Sequence, residues 1–425
     1  MTCPRVHITT LGCKVNQCDG HEIAQALAAR GCRIVTRGDA ADVYIVNTCT
    51  VTATADAKAR KLIRKLAREH PGARLIVTGC LAQRDPDSLA RLPGVSAVLP
   101  NSQKPYLANL LPLLPSHLSP LPSPPSRTRS FLKVQDGCDH RCAYCAVPDA
   151  RGRPISKPME EVLQEVGRFA AAGVQEVVLC GIRLGAYGRD RGQGSLTALL
   201  RELRDIGIPR LRLSSLEPMD VDEPLIEEIA DHPRLCHHLP LPLQSGDDNV
   251  LAAMGRGYTT ADYRHLVRRL RDAWPDVAVT TDVMVAFPGE TDEQFQRTVH
   301  FAREMTFSRV HVFPYSSRPG TPAAACGNRV PTHIASQRTQ HMLAVARHLA
   351  RQAARVWVGE TVSVLFEQRR RDGLLTGLTE HYLRVRCPGP AEWVGIIAEL
   401  VPDAHEEGDL IVEAQPPRSA ARPRE

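Results

Sequence analysis

At 425 residues the chain exceeds what one hydrophobic core usually supports, so two or three domains are expected. Hydrophobic residues make up 43% and charged residues 24%, an ordinary globular mixture, and no run of about 18 apolar residues offers a membrane span. The net charge of +6 is too modest to mark a nucleic-acid binder, and it is uneven: residues 1–111 hold 15 Lys+Arg against 8 Asp+Glu, whereas residues 351–425 hold 10 against 12.

The chain opens with Met1-Thr2-Cys3-Pro4-Arg5-Val6-His7-Ile8, which lacks the apolar stretch of a signal peptide and runs straight into a strand pattern. A soluble cytoplasmic protein is therefore expected. Short strands are expected at Val6–Leu11, Asp42–Asn47 and Leu75–Thr78, with helical spacing over Gly20–Arg30 and Ala55–Glu69 between them. Such alternation implies a parallel sheet with crossover helices. Six prolines between Pro112 and Pro125 then suit neither helix nor ladder and mark a boundary.

From Phe131 a longer rhythm begins. Strands are expected at Phe131–Gln135, Glu176–Gly181, Arg210–Ser215, His238–Leu243, Thr280–Phe287 and Arg309–Pro314. Helices fit at Pro158–Ala172, Ser195–Ile206, Asp262–Asp272 and Asp292–Met305. Six βα units suggest a full or incomplete barrel, with chemistry in the loops at the carboxyl ends of the strands. Beyond it, Thr361–Phe366, Leu374–Leu378, Tyr382–Arg386 and Trp393–Glu399 read as strands of a small β-barrel, and the Pro- and Arg-rich tail from Gln415 reads as disordered. The expected division is 1–111 N-terminal domain, 112–128 linker, 129–352 barrel, 353–414 small β domain and 415–425 tail.

The thirteen cysteines run from Cys3 to Cys387, an odd and dispersed set unlike a secreted disulfide framework. Cys138, Cys142 and Cys145 follow the first strand of the barrel at spacings of four and three. Three thiolates there can converge on one [4Fe–4S] cluster and leave one iron open. A zinc half-site or a redox dithiol is the alternative, although structural zinc needs a fourth ligand and the chain has no second CxxC. Cys13, Cys49 and Cys80 each lie just past a strand of the first segment, in Gly12-Cys13, Thr48-Cys49 and Gly79-Cys80. A parallel sheet gathers its strand carboxyl ends on one edge, where ligands bind. Three buried structural cysteines are the alternative, and Cys18, placed in a loop or helix start, competes as a ligand.

Longer runs accompany these cysteines. They include Thr10-Leu11-Gly12-Cys13-Lys14-Val15-Asn16-Gln17, Asn47-Thr48-Cys49-Thr50-Val51-Thr52, and Val147-Pro148-Asp149-Ala150-Arg151-Gly152. Pro242-Leu243-Gln244-Ser245-Gly246, Asp282 to Thr291, and His311 to Ser316 continue the series. With them the chain resembles the radical S-adenosylmethionine (SAM) methylthiotransferase family over nearly its whole length. The resemblance implies an α/β fold: a flavodoxin-like N-terminal domain, a partial (β/α)6 radical SAM barrel and a C-terminal TRAM-like β-barrel that grips RNA. It implies two [4Fe–4S] clusters, one on Cys138, Cys142 and Cys145 that binds SAM, and one on Cys13, Cys49 and Cys80 that handles sulfur.

Family branches act on isopentenyladenosine in tRNA, on a ribosomal-protein aspartate, or on N6-threonylcarbamoyladenosine at tRNA position 37. Gly12 to Gln17, and Gly377-Leu378-Thr379-Glu380-His381-Tyr382-Leu383-Arg384-Val385, look like the last of these. The implied partners are the anticodon stem-loop of such tRNAs, an electron donor such as flavodoxin or ferredoxin, and a sulfur source. A non-catalytic metal-dependent RNA-binding protein is the reading from another class.

Gly181, Ser215, Glu217 and Gln244 fall at or after strand ends of the barrel and are candidates for the SAM pocket, as are Asp282 and Glu290; Arg151 is a candidate for the SAM carboxylate. For RNA contact the candidates are Arg369-Arg370-Arg371, Arg384 and Arg386, with a basic stripe at Lys58, Arg60, Lys61, Arg64, Lys65 and Arg68.

Overall fold

The computed structural model describes residues 4–36, 38–110, 128–192 and 194–413. The run Pro112–Pro125 and the tail from Gln415 lie outside the described residues. The chain forms two compact units: one of Met1–Pro124, Asp136–Ile155 and Ser316–Ala325, the other of Pro125–Gln135, Ser156–Tyr315 and Cys326–Glu425. By contacts, the cysteine loop after the first barrel strand groups with the N-terminal sheet.

In the first unit, strands β1 (Arg5–Thr10), β2 (Arg33–Val35), β3 (Val43–Thr48), β4 (Arg74–Gly79) and β5 (Val95–Leu99) form an all-parallel sheet in the order β2-β1-β3-β4-β5. That order is the flavodoxin-like one. Every residue of β3 is buried because both faces are covered. Val6, Ile45 and Ile76 pack on one side; Tyr44, Val46 and Val77 pack with Ala59 and Ile63 on the other. Helix α1 spans Lys14–Ala28 and α2 spans Ala53–Glu69, the latter capped by Thr52, whose side chain accepts from the Ala55 N–H at 3.1 Å. Strands β2 and β5 escaped the sequence reading, since runs of three and five residues between turns show little periodicity.

The second unit contains the six strands expected of the barrel. Arg129–Lys133, Glu176–Cys180 and Arg210–Leu213 form one parallel sheet; His238–Pro240, Ala278–Val285 and Arg309–Pro314 form another, with an isolated parallel bridge between Leu211 and Leu235. A 24-residue helix at Thr332–Arg355, unforeseen in the sequence, buries Arg338, Met342, Val345, Ala346 and Leu349. The spacing of those residues is helical, so the signal was present. A six-stranded, mostly antiparallel sheet closes the unit, from Val362–Arg369 to Asp409–Ile411.

This last sheet docks on the barrel through buried charge. Fully buried Glu176 accepts from Arg212 at 2.9 and 3.0 Å. Arg212 also donates to the carbonyls of Thr379 (3.1 Å) and Glu380 (3.0 Å), and Arg210 to that of Leu378 (3.3 Å). Desolvation opposes ionisation of Glu176, but Arg212, helped by Arg129 and Arg210, overrides it and draws the carboxyl down to about 2. A depressed folded value stabilises above the unfolded value and is lost as pH falls through the folded one. Glu176→Gln is therefore expected to lower stability near neutrality by about 3 kcal/mol and to flatten the loss of apparent Tm between about pH 4.5 and 2. Thermal melts across that range check it.

Candidate metal centre

Cys13 is the N-cap of α1, directly after the carboxyl end of β1. Gly12 has φ +98°, and a Cβ there would lie 2.6 Å from Cys49 Cβ and Sγ. The first two cysteine loops thus touch. Asn16 and Asn47 hold that approach: Asn47 Nδ2 donates to Asn16 O at 2.8 Å, and Asn16 Nδ2 donates to Thr48 O at 3.2 Å. Thr48 in turn donates its hydroxyl to Thr78 O at 2.6 Å, tying β3 to β4. Gly79, at φ +100°, would carry a Cβ only 2.3 Å from Thr48 O, so the turn into Cys80 and helix α3 (Cys80–Arg84) admits no side chain. Gly79→Val is expected to cost about 3 kcal/mol or more and to strip iron from this edge, measurable as apparent Tm and iron per chain.

The three thiols interact electrostatically. Burial pushes Cys49 up to about 11, and Cys13 and Cys80 add to the rise while the Val51 N–H opposes it. Cys13 is exposed at the surface, yet desolvation by the surrounding atoms also holds it above its ordinary range, against the pull of Arg151. Three thiolates gathered here would be stabilised by shared metal, and the irons of a [4Fe–4S] core take thiolate ligands. Asn47 Oδ1, Thr78 Oγ1 and Asn101 Oδ1 are buried without hydrogen-bond partners beside this edge, and Asn101 Nδ2 reaches Cys80 Sγ at 3.7 Å. The donor set and these orphaned atoms fit such a group. Cys18 lies inside α1, not in a loop, and is 3% exposed.

Cys138, Cys142 and Cys145 lie in the same unit. Gly137, at φ +74°, passes so close to Arg153 that a Cβ would sit 2.0 Å from its carbonyl oxygen. The loop is closed by Cys138 N–H donating to Gly152 O at 3.0 Å, and the Val147 N–H reaches Cys145 Sγ at 3.5 Å. Cys142 is buried and the other two half-buried. An N–H aimed at sulfur and partial access from one side suit a cluster that must meet a small molecule.

Arg151 joins the two cysteine loops. The sequence offers it as a candidate for the SAM carboxylate; its guanidinium donates to Asp136 at 2.8 and 2.9 Å, Asp19 at 2.9 Å and Asn16 at 3.1 Å. Asp136 precedes Cys138 by two residues, and Asn16 follows Cys13 by three. Burial works against the cation, but Cys80 and Asp136, then Asp19 and Cys13, keep it firmly protonated. Lys104 shares Asp19 at 2.6 Å, its ammonium made less stable chiefly by burial. Sequence reading missed Asp19, Asp136 and Lys104, which no cysteine spacing announces.

The remaining cofactor candidates lie in the second unit. Gly181 follows Glu176–Cys180, and its N–H donates to Ser214 Oγ at 3.2 Å. Ser215 is exposed, and Glu217 pairs with buried Arg256. Gln244 adopts φ +68° and is pinned by backbone bonds to Asp282 O (2.8 Å) and from the Met284 N–H (2.9 Å). Its Oε1 is buried with no partner, an acceptor held ready for a donor. Glu290 is committed to Arg338 (2.8 Å) and the Ala286 N–H (2.7 Å). Among the RNA candidates, Arg369, Arg370, Arg371 and Arg384 are exposed, whereas Arg386 is engaged by Glu406 at 2.6 Å and Arg60 by Asp85. No helix among the described residues is long and apolar enough to cross a membrane.

The Radical SAM superfamily matches residues 132–302, and the Uncharacterized protein family UPF0004 matches residues 5–100. The chain is 34% identical to "Threonylcarbamoyladenosine tRNA methylthiotransferase MtaB" of Bacillus subtilis, covering 92% of each chain. It is 38% identical to the protein of that name from Thermotoga maritima, over 89% of this chain and 90% of the relative. A "tRNA-2-methylthio-N(6)-dimethylallyladenosine synthase" of Thermus thermophilus is 35% identical over 88% and 83%. Among solved structures, the radical SAM methyltransferase TsrM from Kitasatospora setae, with cobalamin and a [4Fe-4S] cluster bound, superposes with TM-score 0.57 at 16% identity, over 76% and 77% of the chains; this is a likeness of fold. Two cysteine loops set on a flavodoxin-order sheet, a parallel-stranded second unit and relatives matched almost end to end agree: the chain belongs to the radical SAM methylthiotransferase family.

Proposed function

We propose that the protein places a methylthio group at position 2 of N6-threonylcarbamoyladenosine at position 37 of tRNA. The observation that carries this is the pair of three-cysteine sets in one unit, with Arg151 bridging their loops. Cys138, Cys142 and Cys145 hold the cluster that binds SAM, and Cys13, Cys49 and Cys80 hold the other. When bound, the clusters and SAM supply radical C–H activation, sulfur and a methyl group.

The chain's own residues do the rest. Gly137 and Gly152 close the first loop, which carries the three sulfurs that would hold this cluster. Gly12 and Gly79 let the second set converge without intruding side chains. Arg151 keeps a fixed positive charge beside Cys13 and Cys80 and fixes the loop of Cys138 through Asp136. Gln244 offers its unpartnered Oε1 to a polar ligand, while Gly181, Ser215 and Glu217 frame the same strand ends. Exposed Arg369, Arg370, Arg371 and Arg384 meet the phosphates of the anticodon stem-loop. An electron donor such as flavodoxin or ferredoxin and a sulfur source complete the partners, in the cytoplasm.

Mass spectrometry of tRNA digests from a deletion strain tests the reading. The 2-methylthio derivative of threonylcarbamoyladenosine should vanish and return with the wild-type gene. The relative named for dimethylallyladenosine, at 35% identity, motivates a second reading. Loss of the methylthio group from that nucleoside instead would replace the first assignment with the second.

A further inference from the structure

A third constellation of metal-binding side chains lies away from both cysteine loops, within the second unit. The turn from Thr379 to Leu383 rests against the amino-terminal ends of the barrel strands, where His238 stacks on Tyr382 at 4.4 Å and 9°. Next to that stack, His237 Nδ1 lies 2.9 Å from Asp276 Oδ2, and His381 Nε2 lies 3.6 Å from the same oxygen. All three ligand atoms fall within 4.8 Å of one another.

A hydrogen-bonded chain does not account for His381. Its side chain is only 10% exposed, and its Nε2 is buried with no hydrogen-bond partner. Were that nitrogen simply a donor to Asp276, the contact would close to about 3 Å. A lone pair facing a carboxylate, on the other hand, calls for a cation between them. Ligand atoms around tetrahedral zinc lie about 3.3 Å apart, given bonds of about 2.0–2.1 Å, and the separations of 2.9 and 3.6 Å from Asp276 Oδ2 straddle that spacing. Trp274 and Trp357 shield the imidazoles, at 4.8 Å from His237 and 4.0 Å from His381.

We propose that His237, Asp276 and His381 bind one divalent transition-metal ion, zinc foremost, with water in the fourth position. Two imidazoles and one carboxylate select such an ion over magnesium or calcium, which prefer all-oxygen shells. His237 and Asp276 belong to the barrel and His381 to the C-terminal sheet, so the ion clamps the sheet to the barrel face where fold stability resides.

Zinc retained by the cluster-loaded protein tests this, counted by mass spectrometry after chelator washing and dialysis against low-micromolar zinc. About one zinc per chain is expected in the wild type, with at least tenfold less in Asp276→Asn and in His381→Gln and no change in iron. Asp276 is half exposed, so its amide variant keeps the fold. Zinc should also raise the apparent Tm of the chelator-washed wild type and leave that of Asp276→Asn unmoved. A wild type that retains no zinc, or variants that retain as much as the wild type, would overturn the site. Neither result would touch the assignment of the six cysteines, which is read from iron.

Discussion

Cys142→Ala is expected to drop iron from about eight to about four atoms per chain and to abolish reductive cleavage of SAM, whereas Cys49→Ala loses the same iron but keeps the cleavage. Both variants should leave tRNA without its methylthio group. The asymmetry follows from placement. Cys142 is the buried member of a loop whose other two cysteines are half-buried, so its loss removes the sulfur deepest in that set. Cys49 lies against Gly12 at the sheet edge, in the other set. Iron assay, SAM cleavage to 5′-deoxyadenosine and nucleoside analysis separate the outcomes. If Cys49→Ala abolished cleavage as fully as Cys142→Ala, the division of roles between the two sets would be wrong.

Arg151→Met carries the second large effect. The guanidinium is 3% exposed and holds Asp19 and Asp136. Its removal takes a cationic partner from buried Asp19, a loss on the order of 3 kcal/mol for a buried pair broken from one side. It also withdraws a positive charge from the neighbourhood of Cys13 and Cys80. At an effective dielectric of about 20, a unit charge several ångströms away is worth on the order of 2 kcal/mol, or on the order of 100 mV in a one-electron couple. In a Cys142→Ala background, where the Cys13 set holds the remaining cluster, the midpoint should move negative by that amount. Arg151→Lys should restore most of the potential while recovering less stability, because an ammonium lacks the planar fork. Spectroscopic redox titration reads the first effect and melting the second. A potential unchanged in Arg151→Met would make the residue a purely structural tie.

Much of this was legible in the chain. Three of the five N-terminal strands announced themselves through apolar, β-branched runs ending near glycine or cysteine, and the six barrel strands through short apolar runs alternating with helical spacing. The placement of Cys13, Cys49 and Cys80 just past strands, with the rule that parallel strands end on one edge, was a signal for grouping them, and the family resemblance supplied their role. Arg151 was a different case. Its neighbourhood follows from Asp19 on one helix and Asp136 before another loop, a meeting fixed by tertiary packing and not by any local period. His381 was similar. It was noticed as part of a familiar run, but its partners His237 and Asp276 lie more than a hundred residues away. Short strands such as Arg33–Val35 left too few residues to show alternation.

The first unit draws on three separate stretches of chain, the last ending at Ala325. Arg318 supplies part of its closure, donating to Thr50 Oγ1 at 3.1 Å and pairing with Asp56. On the ribosome, therefore, the sheet that carries Cys13, Cys49 and Cys80 emerges early and waits. Arg151 arrives later, and the strap around Arg318 later still. The first unit therefore has all of its chain only once synthesis has passed Ala325.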